Sequence, residues 1–248
     1  MTDSTEEAAN RSRTGGPEIV RDGPALALGL VVALTGGVTV VQYGLVEFTS
    51  PPAGSLSEIG WRLATVFVPF VVGLGGFFAV RGRPVEVSPP SVTDLGYVAG
   101  GVVVAYLTFG AYVVGTTTFA PAFAHFAGVD AGAVTPESVL VGVVSLVVFS
   151  GVTVAVEEWF FRGTVQTYLR SVVGSAGAVG VTALCFAWFH VWPLGIGTPP
   201  FVGGAVYYTA MGIVFGSVYE ATDNVVVPFT VHALFNAGPY VAVLVTLS

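Results

Sequence analysis

Residues 138–162 read SVLVGVVSLVVFSGVTVAVEEWFFR. The first 19 of them carry no charge, about the length an α-helix needs to cross the hydrocarbon core of a bilayer. Two glutamates and an arginine then arrive together while the apolar character continues. Segments of the same kind recur at 24–46, 61–80, 95–119, 175–192, 203–219 and 225–247. The fold class is therefore all-α, a polytopic transmembrane helical bundle of about seven to eight spans. The eighth depends on whether PLGIGTPP, residues 193–200, is an exposed loop or a broken segment packed inside the bundle.

The breaks between apolar segments are short and polar, which leaves no room for a separate soluble domain. The chain divides into a tail at 1–23 and a single transmembrane domain at 24–248, with its polar residues concentrated in a core at 138–247. The tail is charged, Gly/Pro-interrupted and without the apolar stretch of a cleaved signal peptide, so it is expected to be a disordered cytoplasmic segment. Glycine groups such as Gly36/Gly37, Gly73/Gly75/Gly76 and Gly212/Gly216 are expected where helices pack closely.

Composition agrees with a membrane protein. Hydrophobic residues make up 54% of the 248 and charged residues 9%, far below the roughly 25% of soluble domains; the mean hydropathy is +0.82. Lipid is thus one partner. Eight arginines, no lysine and a net charge of −7 leave no basic patch for nucleic acid. The single cysteine, Cys185, has no partner for a disulfide. Arginine placement sets the orientation, because cytoplasmic flanks carry the Arg excess. Arg11, Arg13 and Arg21 precede the first segment, Arg81 and Arg83 follow the second, and Arg162 and Arg170 follow the fourth. All fall on one side of an alternating topology, and only Arg62 falls on the other. An integral protein of the cell membrane with a cytoplasmic N-terminus is expected.

Ionisable residues at bilayer depth cost about 2.5–3.5 kcal/mol each on insertion scales and are functional candidates by default. Here they are Glu157, Glu158, Arg162, His190 and His232, with Asn236 one turn beyond the last. Glu157 and His190 are 33 residues apart, and their midpoint, 173.5, falls beside Gly174. A helical hairpin turning there puts both side chains at one level, each about 24 Å from the turn. Part of 163–176 is then expected to lie along the membrane surface. His232 and Asn236 share one helix face, as do Glu158 and Arg162.

A carboxylate and an imidazole at one depth can polarise a water, and the adjacent carboxylates should titrate as a unit. A second imidazole with a carboxamide supplies donors for a tetrahedral oxyanion. The set suits amide hydrolysis. If zinc is present, its ligands would be Glu157, His190 and His232; no compact HExxH favours it, so no cofactor is expected. Taken singly, each histidine also reads as a bundle histidine bonded across helices, and Glu158 with Arg162 as a structural ion pair. His125 has no motif partner, and Trp159, Trp188 and Trp192 are cavity or interface candidates.

EEWFFR at 157–162 resembles the EExxxR motif of the CAAX-protease and bacteriocin-processing intramembrane proteases, FAWFH at 186–190 their FxxxH motif, and HALFN at 232–236 their HxxxN motif. The order is the family's. The resemblance implies a glutamate-dependent membrane protease, similar to the enzymes that trim prenylated CAAX proteins, acting on a membrane-anchored peptide or protein. It further implies that Glu157, rather than Glu158, activates water with His190, that His232 and Asn236 form the oxyanion site, and that Arg162 orients the glutamate pair. A non-catalytic scaffold or immunity module of the same family is the alternative. A proton-coupled transporter is a third reading, which no pair of half-broken repeats favours.

Overall fold

A computed structural model describes residues 23–49, 56–81, 88–123 and 136–246. The expected tail, Gly23 apart, and His125 lie outside them. All regular structure among the described residues is helical. Helices α1 (Pro24–Phe48), α2 (Leu56–Arg81) and α3 (Asp94–Phe119) come first. A long helical rod follows, made of α4 (Pro136–Val147), a π-helical stretch at Val148–Thr153, the five-residue α5 (Val154–Glu158) and a second π-helical stretch at Trp159–Gln166. It runs into α6 (Thr167–Val191), and α7 (Pro199–Thr222) and α8 (Val226–Thr246) complete the chain.

Among the described residues five helices are long and apolar enough to cross a membrane: Pro24–Phe48, Ile59–Ala79, Asp94–Phe119, Gly142–Leu194 and Pro199–Thr222. The fourth, at 53 residues, would be about 80 Å long if straight, well over twice the hydrocarbon thickness. It is not straight. Gly174 has φ 75° and ψ 169°, a conformation open to glycine and strained for other residues. The chain reverses at Gly174, so the two apolar segments expected at 138–161 and 175–192 are the two arms of one hairpin. The register follows the expectation: Phe161 and Phe186, also centred on 173.5, pack with ring centroids 5.3 Å apart.

The link after α6 is compact. Trp192–Leu194 forms a 3₁₀ turn, Gly195 and Gly197 take φ of 81° and 82°, and Thr198 caps α7 by accepting from the Phe201 amide at 3.3 Å. Pro199 follows at the first helical position. Residues 193–200 therefore make a turn and the start of α7, with no additional helix among them.

Each early helix buries one face. On α1 the buried residues are Ala27, Val31, Thr35, Val38, Thr39 and Gln42, a set that lines one helix face, while Val32, Val40, Val41 and Leu45 point outward. An apolar outer face is what lipid requires. The core is largely aromatic. Phe70 of α2 meets Phe160 at 4.8 Å and Phe189 of α6 at 5.1 Å, both edge to face, a favoured geometry for ring pairs.

The glycine expectation holds in part. Adding a Cβ at Gly73 would bring it 2.9 Å from Val38, at Gly212 2.8 Å from the Ala183 backbone, and at Gly216 2.9 Å from Gln166 Oε1. Gly36, Gly37, Gly75 and Gly76 meet nothing within 4 Å and are not close-packing positions among the described residues. Arginine also needs correction: Arg162 is fully buried, so it is not a flank charge reaching for water. The flank there rests on Arg170, which pairs with Asp223 at 2.7 Å near the reversal at Gly174.

Candidate functional site

Glu157 and Glu158 close α5, between the two π-helical stretches. Such insertions are frequent at functional sites because they rotate the side chains beyond them relative to those before. The widened turn is tied down by hydroxyls five residues on. Thr164 donates to the Trp159 carbonyl at 3.1 Å and Thr167 to the Arg162 carbonyl at 2.9 Å.

Glu158 is fully enclosed. Its Oε1 accepts from Arg162 Nη1 at 3.0 Å and from His232 Nδ1 at 2.8 Å, and its Oε2 has no hydrogen-bond partner among the described residues. Arg162 also donates through Nη2 to the Gly212 carbonyl at 3.2 Å. Its guanidinium carbon lies 4.8 Å from the Phe186 ring centre, 5.4 Å from Phe215 and 5.8 Å from Phe161, a three-sided aromatic cage that favours a cation. Buried charge is tolerated only when paired in this way. Gly212 has two roles: without a side chain it lets α6 approach, and its carbonyl accepts the arginine.

Glu157 is treated differently. It is buried but makes no hydrogen bond among the described residues, and it faces His190, with Oε2 to Nε2 at 4.0 Å. Thirty-three residues along a continuous helix would have put them about 50 Å apart, so the contact is the product of the Gly174 reversal. His190 Nδ1 lies 2.8 Å from the Phe186 carbonyl. A carbonyl only accepts, so Nδ1 carries a proton, and Nε2, turned toward Glu157, is the lone-pair nitrogen when the ring is neutral.

His232 follows the same rule with a different outcome. Its Nδ1 donates to the Glu158 carboxylate, which leaves Nε2 an acceptor unless the ring is doubly protonated. Asn236, one turn on, is half-buried and has no hydrogen bond among the described residues; its amide is a donor in any state. The structure thus groups Glu157 with His190 and Glu158 with Arg162 and His232, and the second group shares Phe186 with the first through rings 4.3 Å from His190 and 6.0 Å from His232.

Residues 137–238 match the Rce1-like family model, described as type II CAAX prenyl endopeptidase Rce1-like. The match covers fewer than half of the 248 residues and contains all three motifs, from Glu157 to Asn236. No curated protein and no solved structure matches the chain. The Rce1-like region begins at the N-terminal end of α4 and ends within α8, so it includes both carboxylates and both imidazoles. Among the described residues no group of three or more His, Cys, Asp or Glu side chains is placed to hold a metal, the trio of Glu157, His190 and His232 included.

Several residues of the site gave no signal in the motifs. Tyr208 and Phe215 of α7 stack on His190 and His232. Gln166 donates to the Gly216 carbonyl at 3.0 Å and to Glu220 at 2.9 Å, tying the second π-helical stretch to α7. Tyr43 of α1 donates to the Phe189 carbonyl at 3.2 Å, beside His190. Trp159, Trp188 and Trp192 make no ring contact with either imidazole among the described residues; Trp188 and Trp192 pack on each other at 4.9 Å.

Proposed function

We propose that this chain is an intramembrane endopeptidase that hydrolyses a peptide bond of a membrane-anchored, prenylated or otherwise lipidated, substrate. The observation that carries the reading is the 4.0 Å separation of Glu157 Oε2 and His190 Nε2. It is too long for a direct hydrogen bond and matches two bonds of about 2.8 Å meeting at one shared water. Both atoms are acceptors, so that water gives a proton to each and turns its lone pairs outward, toward a substrate carbonyl.

Glu157 takes the proton as the water oxygen attacks. The carbonyl oxygen becomes an oxyanion, to which Asn236 donates through its amide and His232 through Nε2 when its ring is doubly protonated. The carbon–nitrogen bond then breaks, and Glu157 returns the proton to the leaving amine. Arg162 and Glu158 hold His232 and the end of α5 in place, as positioning residues that do not touch the substrate. No step passes through a metal.

The architecture proposed with this chemistry is a single transmembrane domain over 24–248, with seven crossings that match the seven apolar segments and a cytoplasmic N-terminus. The core at 138–247 then opens to the cytoplasm, where a lipidated tail would be presented. A scaffold or immunity module is the second reading. It draws on the enclosed Glu158–Arg162–His232 group, whose burial also serves helix packing.

The test is hydrolysis of a farnesylated CAAX peptide by the purified protein in lipid nanodiscs. Turnover by the wild type that survives chelator and disappears in Glu157→Gln is the expected result. A Glu157→Gln protein that still cleaves defeats the mechanism, and chelator-sensitive cleavage defeats its metal-free form.

A further inference from the structure

The two imidazoles of the site are held in matching ways by a helix that carries no motif residue. Tyr208 and Phe215 are seven residues apart on α7, which brings them to one face two turns apart. The Tyr208 ring lies 4.4 Å from His190 with 21° between planes, and the Phe215 ring lies 4.4 Å from His232 with 18° between planes. A near-parallel stack covers the face of an imidazole and leaves its edge, where both nitrogens sit, free to bond.

His190 needs such support more than His232 does. His232 is fixed at Nδ1 by an ion-paired carboxylate. By contrast, His190 has one hydrogen bond among the described residues, to a carbonyl of its own helix, and a single bond leaves the ring free to tilt about it. Tilting swings Nε2 past Glu157. Phe186 at 4.3 Å and 44°, and Phe189 at 5.3 Å and 82°, come from the same helix as His190 and move with it. Tyr208 is the ring supplied from outside. It is half-buried, whereas Phe215 belongs to the closed core.

We propose that Tyr208 is a positioning residue for His190, its ring fixing the imidazole plane so that Nε2 faces Glu157 Oε2. The proposal rests on reading Glu157 and His190 as the pair that activates water. Its geometric content stands apart from that reading and is tested apart from it.

The chain has three histidines, so ¹⁵N-histidine labelling of the full-length protein in nanodiscs gives a sparse spectrum, assigned with a His190→Gln sample. In the wild type, His190 should show one tautomer with the proton on Nδ1. Tyr208→Leu should keep that tautomer, which the Phe186 carbonyl holds, and shift or broaden the Nε2 resonance as the ring samples several tilts, whereas Tyr208→Phe should restore the wild-type Nε2 signal. A Tyr208→Leu protein whose Nε2 resonance keeps the wild-type position and width overturns the proposal, as does a Tyr208→Phe protein that fails to restore it.

Turnover of the farnesylated peptide supplies the second readout. Tyr208→Leu should lower kcat on the order of 10–100-fold at unchanged KM, as expected for a misplaced catalytic group, and Tyr208→Phe should recover most of it. A change in KM alone would make Tyr208 a substrate contact and overturn the positioning role. If the wild type leaves the peptide uncut while the Nε2 resonance responds as expected, the proteolytic reading for that peptide fails and the role of Tyr208 stands.

Discussion

Glu157 and Glu158 are neighbours in sequence, and the structure gives them opposite surroundings. Glu158 is fully enclosed and accepts from a buried arginine and an imidazole. Glu157, also buried, has no hydrogen bond among the described residues and faces His190 across 4.0 Å. The first arrangement satisfies a charge, and the second leaves one available. A carboxylate held against a buried arginine and an imidazole is a poorer base than one with neither partner, so the difference favours the proposed division, with support from Glu158 and chemistry from Glu157, the same division the family resemblance implies.

The largest expected effect breaks the reactive half. Glu157→Gln keeps shape and volume and loses the base, so turnover should fall by about 10²–10⁴-fold with the melting temperature in nanodiscs unchanged. Removing the supporting carboxylate should do the reverse. Glu158→Ala strands Arg162 in an apolar cage and should cost about 3–5 kcal/mol of stability, read as a lowered melting temperature. Replacing both members, Glu158→Met with Arg162→Met, should recover part of that loss, because no unpaired charge remains. A Glu158→Ala protein as stable as the wild type would erase the contrast between the two halves.

A smaller effect sharpens how Arg162 is held. Gly212→Ala places a methyl 2.8 Å from Ala183 Cα and 3.2 Å from its carbonyl oxygen, both backbone atoms, and pushes away the carbonyl that accepts Arg162. Overpacking of this kind costs about 1–3 kcal/mol; full stability in thermal unfolding would show that α6 and α7 are less tightly apposed. The smallest effect lies at the polar end. Arg170 pairs with the exposed Asp223, and Arg170→Gln should change stability by less than about 1 kcal/mol.

The pairing of Glu157 with His190 is legible in the sequence, because an antiparallel hairpin fixes which positions meet and a glycine stands at the midpoint. The reversal at Gly174 and the packing of Phe161 on Phe186 follow the same register. The i,i+4 spacing likewise places Arg162 with Glu158. What stays hidden depends on rotation about helix axes. α7 is apolar on every side, so its sequence carries no phase to say which face meets the imidazoles, and Tyr208 and Phe215 look like any other aromatic residues. The π-helical stretches hide the turn of His232 onto Glu158 in the same way, since they rotate α5 by an amount that side-chain periodicity does not reveal. Arg162 misleads the count of flank charges because a burying partner and a cytoplasmic flank call for the same residue type.

The central claim is that Glu157 performs hydrolysis on a membrane-anchored protein, and the most direct test works without naming the substrate in advance. Peptide termini of the membrane proteome can be compared between native-host cells carrying the wild-type chain and cells carrying Glu157→Gln at equal abundance. Termini that vanish only with the variant are the predicted result, whereas identical sets of termini would contradict the account.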